Sequence, residues 1–556
     1  MMRANGSSIA SALAKGYTMA DLREMDWEQF LEVTGSEPRT IKVTIRGMQY
    51  ACLDVAYWDP EKKKPTHRRK TIGYYDDSGK IILTGSEDDI RKRTSPKPEV
   101  YAIIKEIGRD LLFDNIAERT GLTKIVKDVF NEDAEAILTC AYYLAGHSGA
   151  LCHCEQWSKG SDTPIDRTLA DQRISELLRR ITFDLKSRFF KEWVGKLGDK
   201  DNYALDITSI SSYSEMAAII RSGYNRDKED LEQINLALMI GSDSRLPAYY
   251  SIIPGNINDK TSLKRFLHTV KAFGFERFSV VMDKGFFTIE NTDEMYSLRQ
   301  RFLISVENRL SFAKEHIDAV RGEIQRFDNF YDDGASRIYC TTKTVSWASN
   351  DGSSHRCYVH VFFNPQKKED DVRYFTDKLE IVRKGILEGD YAYSDSPMAK
   401  KYFTVSGSKG RVKVTADQEM IDKKTAYSGF IVMISNHIKD AKRALQIYRD
   451  KETAESAFDD MKNGSDFCWL RVHGEPAIEA KSFLVFLSLI LRLEMSNVML
   501  KDPVLRSKSR EEILQEMAIL RRSEIGNNII YSERTKLQKQ VIKAFGIDAP
   551  FKDILE

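Results

Sequence analysis

The apolar residues of the chain change period several times, and those changes divide it. From Thr40 hydrophobic and polar positions alternate through TIKVTIRG, YACLDVAYW, RRKTIGYY and GKIIL, with polar turns between. That two-residue period predicts strands buried on one face. A helical lead, ADLREMDWEQFLEV, precedes them and ends at the breaker Gly35-Ser36-Glu37-Pro38. Between residues 99 and 197 apolar positions recur every three or four residues, in VYAIIKEIGRDLLFDNIAERTGL, AEAILTCAYYLAGH and RISELLRRITFDLKSRFFKEWV, which predicts helices.

From residue 202 the order of elements becomes specific. YALDITSIS reads as a strand, and INLALMIG and PAYYSIIPG as a strand pair joined by SDSR. DKTSLKRFLHTVKAFG reads as a helix, RFSVVMDKG as a strand running into a turn, NTDEMYSLRQR as a helix and RFLISVE as a strand. Three antiparallel strands followed by alternating helix and strand is the order of an α/β core of ribonuclease-H-like fold. Residues 308–445 hold further β-prone stretches, SRIYCTTKTVSW, HRCYVHVFFNP, KYFTVSG, GRVKVTAD and SGFIVMISN, which predict a β-rich insertion into that core. The most apolar run, Phe483 to Leu491, is about half a membrane span and ends at Arg492, so it reads as a buried helix. Residues 504–556 return to a charged helical pattern.

Composition narrows the classes. A chain of 556 residues has room for two to four domains. Its formal net charge of +1 supplies no global field toward nucleic acid, so any such contact rests on local basic patches. One patch is KKKPTHRRK, between two predicted strands: Lys62, Lys63, Lys64, Arg68, Arg69 and Lys70 with His67 make seven basic residues in nine. It reads either as a solvated hairpin tip or as a grip on a phosphate backbone. Seven scattered cysteines suit a reducing cytosol. Cys152, His153 and Cys154 lack the second ligand pair of a zinc site and read as packing residues. The N-terminus, MMRANGSSIASALAKGYTM, has no signal-peptide apolar core.

Candidate chemistry concentrates in three places. Asp206 interrupts an apolar strand, where a lone buried carboxylate is costly unless paired or metal-bound. Asp283 ends the run Phe278 to Met282, at a strand end where α/β sheets commonly place chemistry. Both also suit turn or cap chemistry. The third place is YRDKETAESAFDDMK, residues 448–462. On one continuous helix Tyr448, Lys451, Glu455 and Lys462 fall at roughly 0°, −60°, −20° and −40°. Ile447, Ala454, Ala457, Phe458 and Met461 form an adjacent apolar stripe. A carboxylate between two ammonium groups and a phenol suits a divalent metal beside a phosphate. Glu452 and Asp459 lie near the same arc, so geometry alone does not single out Glu455.

These residues carry a resemblance. Tyr-x2-Lys-x3-Glu-x6-Lys is similar to the Tyr-x2-Arg-x3-Glu-x6-Lys signature of one group of bacterial insertion-sequence transposases, the insertion sequence four superfamily, with Lys451 in place of Arg. Asp206 with Thr208 and Ser209, GYNRDK at 223–228, LPAYYSIIPGNINDKTSL, DKGFF at 283–287, and the passage from YSGFIVMISN to AIEAKSFLVFLSLIL resemble that family's catalytic blocks in order. YWDPEKKKPTHRRKTIG resembles the leading part of the insertion sequence 1634 branch. The resemblance implies a DDE transposase that binds terminal inverted repeats, cleaves at the element ends and joins 3′-hydroxyls to target DNA.

It further implies Asp206, Asp283 and Glu455 as the catalytic metal ligands, with two Mg²⁺ per site, replaceable by Mn²⁺ and about 4 Å apart. Tyr448, Lys451 and Lys462 would contact phosphates, and Trp347 is the aromatic placed to stack on an extruded base. The expected partners are double-stranded DNA and a second copy in a homodimeric synaptic complex, with no membrane and no small-molecule substrate. The expected location is the prokaryotic cytoplasm, on the nucleoid. A magnesium nuclease without strand transfer and a silent DNA-binding descendant are the alternatives. The corresponding division is a basic β-rich DNA-binding region at 1–98, a helical domain at 99–199, a catalytic domain at 200–307 and 446–503, the insertion at 308–445 and a helical C-terminal region at 504–556.

Overall fold

The computed structural model describes residues 7–45, 47–76, 78–83, 102–147, 149–198, 202–211, 218–223, 231–257, 259–276, 278–332, 334, 336–407, 412–451, 457–458, 461–462, 474–525 and 528–548. The chain divides into two compact units, Met1–Ile103 with Ile525–Asn528, and Ile104–Glu524 with Ile529–Glu556.

In the first unit, helices α1 (Ser7–Ala14), α2 (Met19–Glu24) and α3 (Trp27–Thr34) accompany an antiparallel sheet. Its strands β1 (Arg39–Ile45), β2 (Met48–Asp59), β3 (Lys64–Tyr75) and β4 (Ile81–Leu83) lie in sequential order. Thr18 and Asp26 cap α2 and α3 in reciprocal capping boxes. Val55 and Tyr57 of β2 pack with Leu22 and Phe30 in a small separate core.

Where the periodicity predicts helix from residue 99, Ala102–Glu106 is a strand; the second unit then continues with a helical layer: α4 (Gly108–Arg119), α5 (Leu122–Phe130), α6 (Ala134–Gly146), α7 (Cys154–Gly160), α8 (Asp171–Arg180) and α9 (Phe183–Leu197). Then come β5 (Asn202–Ser211), β6 (Gln233–Gly241), β7 (Pro247–Pro254), α10 (Asp259–Ala272), β8 (Ser279–Met282), α11 (Ile289–Ser297) and β9 (Arg301–Val306). The helix-strand order is the one the periodicity predicts. β5, β6 and β7 are antiparallel neighbours, and β8 pairs parallel with both β5 and β9.

Residues 308–445 depart from a separate β-rich body. After α12 (Ser311–Asp318), strands β10 (Phe330–Asp332), β11 (Arg337–Ala348) and β12 (Ser354–Phe363) join the same sheet, as does β15 (Phe430–Ser435). The result is one nine-stranded sheet in the order β10-β11-β12-β15-β9-β8-β5-β6-β7. Backbone pairing of β15 with both β9 and β12 fuses the two halves. Between β12 and β15 the chain is largely helical, in α13 (Pro365–Glu388), α14 (Tyr391–Ser394), α15 (Pro397–Tyr402) and α16 (Gln418–Thr425), with one small hairpin, β13 (Phe403–Ser406) and β14 (Lys413–Ala416). Leu379, Val382 and Ile386 of α13 are buried at helical spacing, a signal that strand-prone neighbours obscured.

Two helices matter most for the sheet. α17 (Ala441–Arg449) seats Ala444, Leu445 and Ile447 on Val281, Leu303 and Met433 of one face. α18 (Glu475–Lys501) belongs to the larger core, where Phe486 meets Phe190 and Tyr250. This helix is long and apolar enough to cross a membrane, with mean hydropathy 1.8 in its most apolar window, and 78% of that window is buried in the protein. Its buried Arg492 donates to the Ala145 carbonyl at 2.8 Å and to Glu511 at 2.6 Å. Beyond it lie α19 (Arg510–Met517), strands Arg521–Ile525 and Asn528–Tyr531, and α20 (Lys536–Phe545).

At the far end of β6 and β7, Asn235 donates to the carbonyls of Gly255 and Ile257, at 3.2 and 3.0 Å. A Cβ on Gly255 would collide with the carbonyl oxygens of Gln233 and Arg221. Gly255→Ala should therefore cost about 1–3 kcal/mol, read as a lower thermal unfolding midpoint. Gly195→Ala, in open space inside α9, should leave the midpoint unchanged or raise it, since alanine is the better helix former by about 1 kcal/mol.

Candidate active site

Register brings the two aspartates together. The last parallel pair of β5 and β8 is Leu205 with Met282, and the last of β9 and β8 is Ile304 with Met282. One step further along the strands, Asp206, Asp283 and Ser305 stand level on three neighbouring strands. Because side chains alternate, they share the face of Val281 and Leu303, the face α17 covers. β8 stops at Met282, while β5 runs on to Ser211. That early stop opens the sheet beside Asp206, which is half-exposed between buried neighbours and accepts the Ile207 N–H at 2.9 Å.

α17 delivers the other groups. Asp440 caps its N-terminus by accepting from the N–H groups of Lys442 and Arg443. At its C-terminal end the N–H of Lys451 folds back to the Tyr448 carbonyl at 3.2 Å. The helix thus ends at Arg449, so Tyr448 and Lys451 do not share one helix, contrary to the expectation from the sequence. They converge all the same. The Tyr448 hydroxyl donates to Asp283 Oδ1 at 2.8 Å, and Lys451 Nζ lies 3.5 Å from Asp206 Oδ2.

Burial gives these contacts weight. Lys451 is only 6% exposed, so its ammonium needs a counter-charge at hand. Burial, the Asp283 charge and the hydrogen bond to Asp283 push the Tyr448 phenol well above its ordinary range, and a hydrogen bond with Ser305 opposes them. Tyr448 is therefore a neutral donor at any physiological pH. Ser305, which the sequence did not single out, is the residue that register adds; an ordinary serine in an apolar strand carries no sequence signal until the pairing is known.

The remaining predicted residues fall elsewhere. Glu455 lies outside the described residues. Ala457, Phe458 and Met461 are buried as the apolar stripe requires, and Lys462 is half-buried after Met461. Asp206 and Asp283 offer hard oxygen donors, level and adjacent, which fit a hard divalent cation. Among the described residues no group of three carboxylate, histidine or cysteine side chains forms a metal site, so a complete set requires a further ligand.

Trp347 is a core residue: 6% exposed, it packs near Phe287, Tyr296 and Phe312 and donates its indole N–H to Asp293 at 2.8 Å. In this position it is closed to a nucleotide base.

The basic hairpin splits into two groups. Lys62 and Lys63 occupy the turn between β2 and β3, with Lys64 beginning β3, and all three are exposed. Arg68 instead donates to the carbonyls of Leu22 and Met25 and lies 4.4 Å over the Phe30 ring. Arg69 pairs with Asp54 at 3.0 Å, and Lys70 with Glu28 at 2.5 Å. Burial raises the Asp54 carboxyl, but Arg69 and His67 outweigh it and hold the group below its ordinary range. Arg68→Ala should cost this unit about 1–3 kcal/mol through its orphaned carbonyls, seen as faster proteolysis between residues 7 and 83 of the full chain. Lys62→Ala/Lys63→Ala should leave that rate unchanged; equal acceleration in both variants would contradict the division.

Residues 198–491 match the model of the transposase DDE domain, a range that holds the aspartates, α17 and most of α18. Among solved structures, the cryo-EM structure of a piggyBac transposase synaptic complex with hairpin DNA aligns with a TM-score of 0.33 and 9% identity, over 80% of this chain and 74% of that chain. No curated protein matches the chain. With more than half of its 556 residues inside the family's domain, the chain belongs to the DDE transposases and is an enzyme of that type.

Proposed function

We propose that this transposase moves its element by cutting and pasting, and that it belongs to the insertion sequence four superfamily, near the 1634 branch. The strongest support is the convergence of Tyr448 and Lys451 on Asp206 and Asp283, two pairs that lie far apart in sequence. The strand order around β5, β8 and β9 supports a ribonuclease-H-like core.

DDE transposases work with divalent metals. In this reading Asp206, Asp283 and Glu455 would hold two Mg²⁺ ions, or Mn²⁺ in their place. The bound metal supplies Lewis-acid polarisation of the phosphate and an activated oxygen nucleophile. The chain's own groups do the positioning. Asp283 is oriented by the Tyr448 hydroxyl, so its carboxylate enters the reaction in a fixed rotamer. Lys451 neutralises Asp206 before DNA arrives and turns to a phosphate oxygen once that charge is otherwise met. As an ammonium it acts as a point charge and lacks the two-pronged grip of a guanidinium. Lys462 adds a second phosphate contact.

The exposed lysines at the β2–β3 turn, Lys62, Lys63 and Lys64, hold terminal-repeat DNA by its backbone. Two ends must be joined, so the working form is a homodimer on DNA, in the cytoplasm of the host cell.

On labelled duplex carrying the element's ends, with Mg²⁺, wild type should generate end-specific 3′-hydroxyls and joined products. Glu455→Gln should lower both at least about a hundredfold, the scale of losing one transition-state charge partner. Full-rate cleavage in Glu455→Gln would remove Glu455 from the triad. Cleavage by wild type without end preference or joining would make the chain a nuclease, and end binding without cleavage a silent DNA-binding descendant.

A further inference from the structure

Beyond β9 the second unit builds a basic groove that the active site does not use. Arg309 follows β9, Lys314 lies on α12, Lys378 on α13, Lys401 on α15, and Lys423 and Lys424 on α16. These six cations line a single groove of about 770 Å³. Its one lining carboxylate, Asp371, is already engaged by Lys367 at 3.4 Å and the Gly429 N–H at 3.3 Å. Arg309 pairs with Glu307, and Lys423 with Glu419.

The other four have no carboxylate at ion-pair distance among the described residues. Three lie over rings instead: Lys378 is 4.3 Å from the Tyr374 centroid, Lys401 5.5 Å from that of Tyr402 and Lys314 5.6 Å from that of Tyr427. A ring orients an ammonium group without cancelling its charge. Tyr374 is itself 63% exposed, so its hydroxyl and ring edge are open to a ligand.

Gathering like charges from five chain segments is unfavourable by itself. It becomes favourable when a ligand brings repeated negative charge. A single small anion would meet one or two of these ammonium groups, whereas a polyphosphate backbone offers a charge for each. Lysines also suit it chemically, because they neutralise phosphates without reading bases.

We propose that this groove binds the phosphate backbone of duplex DNA, independently of sequence. The proposal rests on the transposase reading above and adds a contact surface to it.

The test is anisotropy binding of labelled duplex across a salt series, with the full chain. Lys378→Gln/Lys401→Gln/Lys424→Gln is compared with Lys536→Gln/Lys539→Gln/Lys543→Gln, which removes the same charge from exposed positions on α20. The groove variant should lose up to about 2.7 from the slope of log affinity on log salt, about 0.9 for each lost phosphate contact. Its affinity near 0.1 M salt should fall about ten- to several-hundredfold, with an unchanged melting temperature, while the α20 variant keeps the wild-type slope. Equal slopes for wild type and groove variant, or equal losses in both variants, would overturn the groove alone. Failure of wild type to bind duplex at all would overturn the groove and the transposase reading together.

Discussion

Parallel pairing of β8 with both β5 and β9 is the constraint on which the candidate active site depends. β8 has only four residues, all buried, and its position in the sheet sets where Asp283 emerges relative to Asp206 and Ser305. A one-residue slip of β5 would send its side chains to the opposite face and part the two carboxylates, and the same slip of β9 would take Ser305 away from Asp283. The surrounding structure resists such a slip on both sides. Val281 and Leu303 are held under α17, while Val280, Met282, Phe302 and Ile304 belong to the larger core on the other face.

The two aspartates then create an electrostatic demand that α17 meets. Carboxylates brought together at a partly buried site raise each other's energy, and Tyr448 and Lys451 answer with a neutral donor and a cation. The helix is placed for this by its apolar face and by the Asp440 cap, neither of which touches the reacting groups. Lys451 thus balances the Asp206 charge in the protein as it stands, and in the proposed mechanism it turns from there to a phosphate.

Much of this was legible from periodicity. Strands β5 to β9 show as short, nearly continuous apolar runs, buried along most of their length, the intervening helices follow the 3.6-residue pattern, and Asp206 stood out because charge is costly inside an apolar strand. Other features required coordinates. Nothing in the sequence distinguishes Ser305 until strand pairing places it beside Asp283. The arc through residues 448–462 assumed one helix, yet the chain tightens after Arg449 and reaches the aspartates through a turn. Trp347 was expected to stack on an extruded base, but its indole N–H and ring are satisfied in the core. The basic run after the β2–β3 turn looked uniform in sequence, although Arg68, Arg69 and Lys70 are spent on the unit's own carbonyls and carboxylates. The strands of residues 308–445 were legible as strands. Their membership of one nine-stranded sheet is a long-range pairing that local pattern does not encode.

The central claim is that Asp206 and Asp283 form one divalent-cation site guarded by Lys451. Calorimetric titration of the full chain with Mn²⁺ tests it most directly, using wild type, Asp206→Asn, Asp283→Asn and Lys451→Met. The account predicts specific binding to wild type, its loss in either asparagine variant, and tighter binding in Lys451→Met, where the competing ammonium is gone. Wild-type Mn²⁺ affinity in both asparagine variants would contradict it.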